Sequence, residues 1–340
     1  MKKFSKIVTL ATLIILMSVA TFNYIMDPLW NFSHENKFNK YQMGFDERQL
    51  KTNYINFREF NYNALMIGSS RVTFIDRHDL KDYKAFNYSI SNLRPYEYND
   101  YTEYAKEKNK KDFDVIFLGI DMLSPEPDVE KKRFFKTYKA NTESFLYRYK
   151  TLFSLDTAKY SFKNLVNSSF EKYKKRVQTY DRDMIVHSYK KSKNIVNKHL
   201  ANILKPVKKI YQDDYKSIIQ AYKKNNPNTK FYVFTTPLPA NRLKSILSVK
   251  ANQEYYTRWL KETREVFGEV YNFTTINNVT KNYTNLYTDL SHFYPFVGTH
   301  IVNKVFNYKD DDKFYSDFGI KLNKDNIDEE IKRIISTSQQ

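Results

Sequence analysis

"NALMIGSSRV", Asn63 to Val72, sets a short apolar run directly before Gly-Ser-Ser-Arg. Ala64 to Gly68 is the length of a buried strand, and Gly68 permits a tight turn out of it. A serine placed there, between a strand and a following helix, can expose its Oγ at the carboxyl edge of a parallel sheet, where ligand sites of α/β proteins lie. It can equally be the cap of that helix. This stretch alone leaves both roles open for Ser69 and Ser70.

Working outward, runs of similar size recur at Ala85 to Ile90, Val115 to Gly119, Phe231 to Thr235 and Val270 to Phe273. Most are separated by segments of helical character, Pro95 to Asn109, Ile210 to Asn225 and Lys250 to Phe267. Such alternation predicts a parallel sheet covered by helices. Near the end, Val297, Ile301, Val302 and Val305 have helical spacing within Phe296 to Phe306, and Asn326 to Ser336 predicts a closing helix. From about 131 to 206 the rhythm breaks into Lys, Tyr, Phe and Ser, which predicts a helical, amphipathic insertion, either a lid or docking surface or a solvated elaboration.

Lys2, Lys3 and Lys6 precede Ile7 to Met26, a run without charge that is long enough to cross a bilayer as a helix. The predicted organisation is a cytoplasmic tail at 1–6 and a transmembrane anchor at 7–26. A stalk at 27–60, packed through Trp30 and Phe32, leads to an α/β domain at 61–340 outside the cytoplasm. Ser18 and Ala20 give a small-x-small pattern, so a cleaved signal peptide is the alternative. With 41% hydrophobic residues, 17% aromatic, 6 Gly and 9 Pro, the 340-residue chain suits one main globular domain.

The absence of cysteine excludes disulfides, a thiolate zinc site and a cysteine nucleophile. An excess of 56 Lys and Arg over 38 Asp and Glu, a net charge of +18, favours an anionic partner, either lipid or a cell-surface polymer. No nucleic-acid-binding motif accompanies the charge, and nucleic acid is not expected as a partner. No cofactor signature is present, so none is expected.

Of the six histidines His34, His78, His187, His199, His292 and His300, only His292 combines an Asp three residues earlier with an aromatic setting, in "TDLSHFYP", Thr288 to Pro295. A local turn would bring Asp289 to one ring nitrogen and leave the other for a serine. A surface Asp-His pair is the plain alternative. A metal set of Asp289, His292 and His300 lacks a further ligand cluster, and no metal is expected.

In order, "IGSSRV", "FNYSISN" (Phe86 to Asn92), "IFLGIDML" (Ile116 to Leu123) and "DLSH" resemble the four blocks of the SGNH or GDSL hydrolase superfamily. The resemblance implies a flavodoxin-like, three-layer α/β fold with a parallel sheet. With its anchored amino terminus the chain resembles the membrane-tethered members linked to acyl modification of cell-surface polysaccharides, similar in layout to alginate acetylation proteins and the teichoic-acid D-alanyl transfer protein. Carried over, Ser70 is the nucleophile, His292 the base and Asp289 its orienting carboxylate. Ser70 and Asn92, with Asp121 as a further candidate, would form the oxyanion hole, and Arg71 would bind substrate. Two positions depart from the pattern: Asn92 stands where the family has glycine, and Ile120 and Asp121 stand where it supplies an asparagine. The implied activity is acyl transfer or ester hydrolysis on an extracytoplasmic polysaccharide or wall polymer, with a membrane-bound O-acyltransferase as partner. The rival is a non-catalytic polysaccharide-binding or assembly factor of the same fold.

Overall fold

A computed structural model describes residues 1–127, 135–175, 177–188, 205–309 and 312–340. The chain divides into two compact units, one of Met1–Phe60 with Phe134–Tyr189, the other of Asn61–Arg133 with Lys190–Gln340.

The second unit is α/β. Its sheet contains β1 (Ala64–Ile67), β2 (Ala85–Asn87), β3 (Val115–Ile120), β4 (Lys230–Thr235), β5 (Val270–Asn272) and β6 (Ile320–Leu322). The strands lie in the order β2-β1-β3-β4-β5-β6, and every pairing is parallel except that of β5 with β6. All six residues of β3 are buried, as a central strand covered on both faces requires. Side-chain alternation assigns the faces. Tyr232 and Phe117 meet Phe306 of helix Pro295–Phe306 on one side, whereas Phe231 meets Tyr222 of helix Tyr215–Lys224 and Phe267 of helix Lys250–Phe267 on the other. Helix Lys250–Phe267 buries Tyr255, Tyr256, Trp259, Leu260, Thr263 and Val266, and it stops at Gly268, whose φ of 89° is left-handed. Strand order reverses direction between β1 and β3, so their carboxyl ends flank the crevice where such sheets bind ligands.

The sixth strand was not legible as an apolar run, because it is only three residues long with Lys321 at its centre. Strand β2 is shorter than expected. Beyond Asn87 the chain still follows β1, with Tyr88 N–H donating to Met66 O and Ile90 N–H to Gly68 O, both at 3.0 Å.

In the first unit, helix Lys2–Met26 is long and apolar enough to span a membrane. Its buried residues, Ala20, Asn23 and Met26, all lie in its last two turns. Residues 27–60 contain helix Glu47–Phe57, which begins where Asp46 accepts from the N–H groups of Arg48 and Gln49. Its buried positions include Glu47, Arg48, Gln49, Lys51, Thr52 and Asn53, so no apolar stripe announces it. Trp30, fully buried, packs edge-on against Tyr180 at 5.5 Å, and Arg182 closes a buried ion pair with Asp27. Within 131–206, the described residues form helices Phe135–Glu143, Tyr147–Lys150 and Leu155–Ser169 and a short antiparallel pair, Thr179–Tyr180 with Val186–His187. The portions 131–134, 176 and 189–204, with His199, lie outside the described residues.

Candidate active site

The two serines after β1 divide the roles between them. Ser69, in extended conformation, caps the short helix Ser70–Thr73 by accepting from Arg71 N–H at 3.3 Å. Ser70 is the first residue of that helix, and its hydroxyl lies 2.8 Å from His292 Nε2. The glycine before them is required by space. A Cβ on Gly68 would stand 2.4 Å from Val72 Cγ2 and 2.8 Å from Gly119 O, and a Cβ on Gly119 would stand 2.3 Å from the same Val72 methyl. Gly68, just past β1, and Gly119 of β3 thus form the floor on which Val72, and the helix turn carrying Ser70, sits.

The histidine is held by a tight loop. Thr288 N–H donates to His292 O at 2.8 Å, and Tyr287 bridges Phe293, closing the turn at its base. Asp289 Oδ1 accepts the N–H groups of Ser291 (2.6 Å) and His292 (2.8 Å), while Oδ2 lies 2.9 Å from His292 Nδ1. A carboxylate only accepts, so Nδ1 carries the proton and Nε2 is left to accept from Ser70. Burial would raise the Asp289 carboxyl, but His292 and the two backbone N–H groups outweigh it and hold the group below its ordinary value. The ring of Phe74 lies stacked 5.2 Å from that of His292. Residues 222 apart in sequence are therefore brought together as a Ser-His-Asp relay.

Arg71 and Asp121 brace this arrangement. Arg71 is only 6% exposed; its Nη1 lies 2.8 Å from Asp121 Oδ2 and its Nε donates to Ser291 O at 2.8 Å. Asp121, just beyond β3, also accepts from the hydroxyls of Thr236 and Ser69. Burial pushes its carboxyl up, yet Arg71 and these two hydroxyls prevail and keep it below the usual 3.8. Ionised and occupied in this way, Asp121 has no proton to give an oxyanion. The strut Asp121–Arg71–Ser291 ties the end of β3 to the histidine loop, with the Ser70 helix between them.

Asn92 is exposed and adopts φ of 56°. Asparagine is among the few residues that accept this left-handed conformation, which accounts for its standing where glycine is expected. Ser70 N–H, at the head of its helix, donates to no acceptor among the described residues. His300 stacks its ring on Tyr315 at 3.4 Å, and among the described residues no group of three or more His, Asp or Glu could hold a metal ion.

Arg242 escaped the sequence reading. From helix Ala240–Leu247 its Nη1 donates to Ser291 Oγ (2.8 Å) and Leu290 O (3.1 Å), a second clamp on the histidine loop. Burial and the neighbouring Arg71 lower its pKa to about 10, so it remains charged at neutral pH. It forms no ion pair among the described residues, and its Nε and Nη2 donate to none of them. Nothing around "PLPANRL" signals this; Pro239 marks a helix start, not the destination of the arginine.

No family model, curated protein or solved structure matches the chain.

Proposed function

We propose that the chain is a membrane-anchored, serine-dependent acyltransferase or esterase of the SGNH type, with a flavodoxin-like sheet, acting on a cell-surface polysaccharide or wall polymer outside the cytoplasm. The observation that carries this reading is the continuous relay from Ser70 Oγ through His292 to Asp289, with distances of 2.8 and 2.9 Å. As Ser70 Oγ bonds to the acyl carbon, its proton passes to His292 Nε2, and the imidazolium that forms faces the Asp289 carboxylate. The charge growing on the carbonyl oxygen is met by Ser70 N–H and by Asn92. His292 then gives its proton to the departing alcohol or thiol, leaving acyl-Ser70. A hydroxyl of the polymer surrenders its proton to His292 and attacks the acyl carbon, and Ser70 Oγ leaves and regains a proton. Water in place of the polymer hydroxyl makes the same sequence an ester hydrolysis.

The strand order, with its switch point beside Ser70, supports the flavodoxin-like assignment. Asp121 and Arg71 position the loop, and Arg242 supplies the open guanidinium that an anionic substrate group would meet. The three lysines before the apolar run of helix Lys2–Met26 support a cytoplasmic amino terminus and an outward body. An acyl donor at that face calls for a membrane-bound O-acyltransferase partner. Acylation of the envelope polymer in cells tests the proposal. Ser70→Ala and His292→Ala should each abolish it, and the double variant should be no worse than either, because the groups act as a unit. Acylation that survives Ser70→Ala would make the chain a binding or assembly factor.

A further inference from the structure

Helix Lys2–Met26 contains one buried polar side chain within its apolar run, Asn23, and its partners lie far along the chain. Asn23 Nδ2 donates to Leu152 O at 2.8 Å and Ser154 O at 3.1 Å, and Asn23 Oδ1 accepts from Ser161 Oγ at 2.8 Å. These contacts fix a depth. Asn23 lies sixteen residues beyond Ile7, about 24 Å along a helix rising 1.5 Å per residue. The hydrocarbon layer is about 30 Å thick. If Ile7 marks its inner edge, Leu152 to Ser154 and Ser161 are level with the outer margin of the hydrocarbon and not above it.

The side chains flanking those contacts fit that level. Phe153 and Leu155, on either side of Ser154, are 48% and 70% exposed, and Phe162, next to Ser161, is 60% exposed. Helix Leu155–Ser169 is inverted relative to a water-facing helix: it buries Thr157, Ser161, Asn164 and Asn167 while Leu155 and Phe162 point outward. Lys163 shares its exposed surface, as a head-group contact of an interfacial helix does, and Lys159 beside it pairs with Asp156 at 2.9 Å. Phe145 at 80% and Tyr149 at 48% extend the apolar surface just upstream. Tyrosine is enriched at the boundary between lipid and water, and interfacial helices bury Phe and Leu just below the head groups.

We propose that Phe153, Leu155 and Phe162 form an interfacial foot that inserts into the outer leaflet of the bilayer, seating the first unit in the membrane surface in a fixed orientation. This rests on reading Lys2–Met26 as a membrane span. The occupant is lipid because the foot is continuous with the lipid-facing helix through Asn23, and Lys163 suits anionic head groups.

The cysteine-free chain permits a direct test. Single cysteines replacing Phe153, Leu155, Phe162 and, as a reference in the span, Leu13 carry an environment-sensitive fluorophore in the full-length protein. The protein is reconstituted in phosphatidylcholine–phosphatidylglycerol vesicles with spin labels either near the head group or deep in the acyl chain. The foot predicts loss of emission at Phe153→Cys, Leu155→Cys and Phe162→Cys with the shallow label and protection there from aqueous iodide, together with loss at Leu13→Cys with the deep label. Deep quenching at Leu13→Cys with iodide-accessible, unquenched probes at the other three would overturn the foot, leaving that surface to a protein partner, while the span would stand. No quenching at Leu13→Cys would remove the span, and the foot with it.

Discussion

Gly119→Ala tests how the sheet positions Ser70. The new methyl would lie 2.3 Å from Val72 Cγ2 and 2.7 Å from Phe234 Cζ, whereas ordinary contact starts near 3.4 Å. Val72 must retreat by 3.4 − 2.3, or about 1.1 Å, and its β-branched side chain has little freedom to turn away within a helix. Val72 belongs to the four-residue helix that Ser70 begins, so Ser70 moves with it. A misplacement of about 1 Å can cost about 100-fold in rate, and overpacking a filled core costs about 1–3 kcal/mol. Hydrolysis of p-nitrophenyl acetate should show the loss in kcat/KM, and urea unfolding should show the loss in stability. Adding Val72→Ala removes the obstructing Cγ2 and should return part of the rate. Wild-type rate and urea midpoint in Gly119→Ala would refute the packing argument, and lost stability with an unchanged rate would refute its link to Ser70.

Asp121 has a folded-state pKa below 3.8, so its strut contributes stability that is present above about pH 4 and lost as the pH falls through the folded value; Asp121→Asn should be less stable at neutral pH and show a flatter acid-unfolding profile below pH 4. Asn92→Gly should fold at wild-type stability because φ of 56° suits glycine, whereas Asn92→Ala should lose about 1 kcal/mol in urea unfolding and lower turnover if the amide reaches the oxyanion. Arg242→Gln should raise KM for an anionic ester several-fold more than for its neutral counterpart, and equal changes for the two would confine Arg242 to bracing the histidine loop.

The first five strands were legible because each is an apolar run, and "IGSSRV" and "DLSH" were legible because Ser70 and His292 are each followed or preceded by a local structure that needs no distant partner. Asp289 and His292 make their turn within four successive residues and through their own backbone, which is why the spacing could be read. The braces were not. Arg71 and Arg242 both converge on Ser291, but each begins in a different helix, and a basic residue in a helix ordinarily ends in solvent. Asn92 looked like a defect at a glycine position until its left-handed backbone supplied the reason. Helix Glu47–Phe57 was hidden because it is buried on nearly every side, polar residues alongside Leu50, Tyr54 and Ile55, and helix Leu155–Ser169 buries polar residues while Leu155 and Phe162 face outward, so the amphipathic pattern is present but its sense is not given by composition.

Intact-mass measurement after treatment of the full-length protein with a fluorophosphonate asks whether Ser70 is a nucleophile activated by His292. One adduct should form, mapping to Ser70. It should be absent from Ser70→Ala and His292→Ala and retained in Ser69→Ala, whose hydroxyl caps the helix and faces Asp121. A wild-type protein that stays unmodified, or an adduct that persists in Ser70→Ala, would contradict the account.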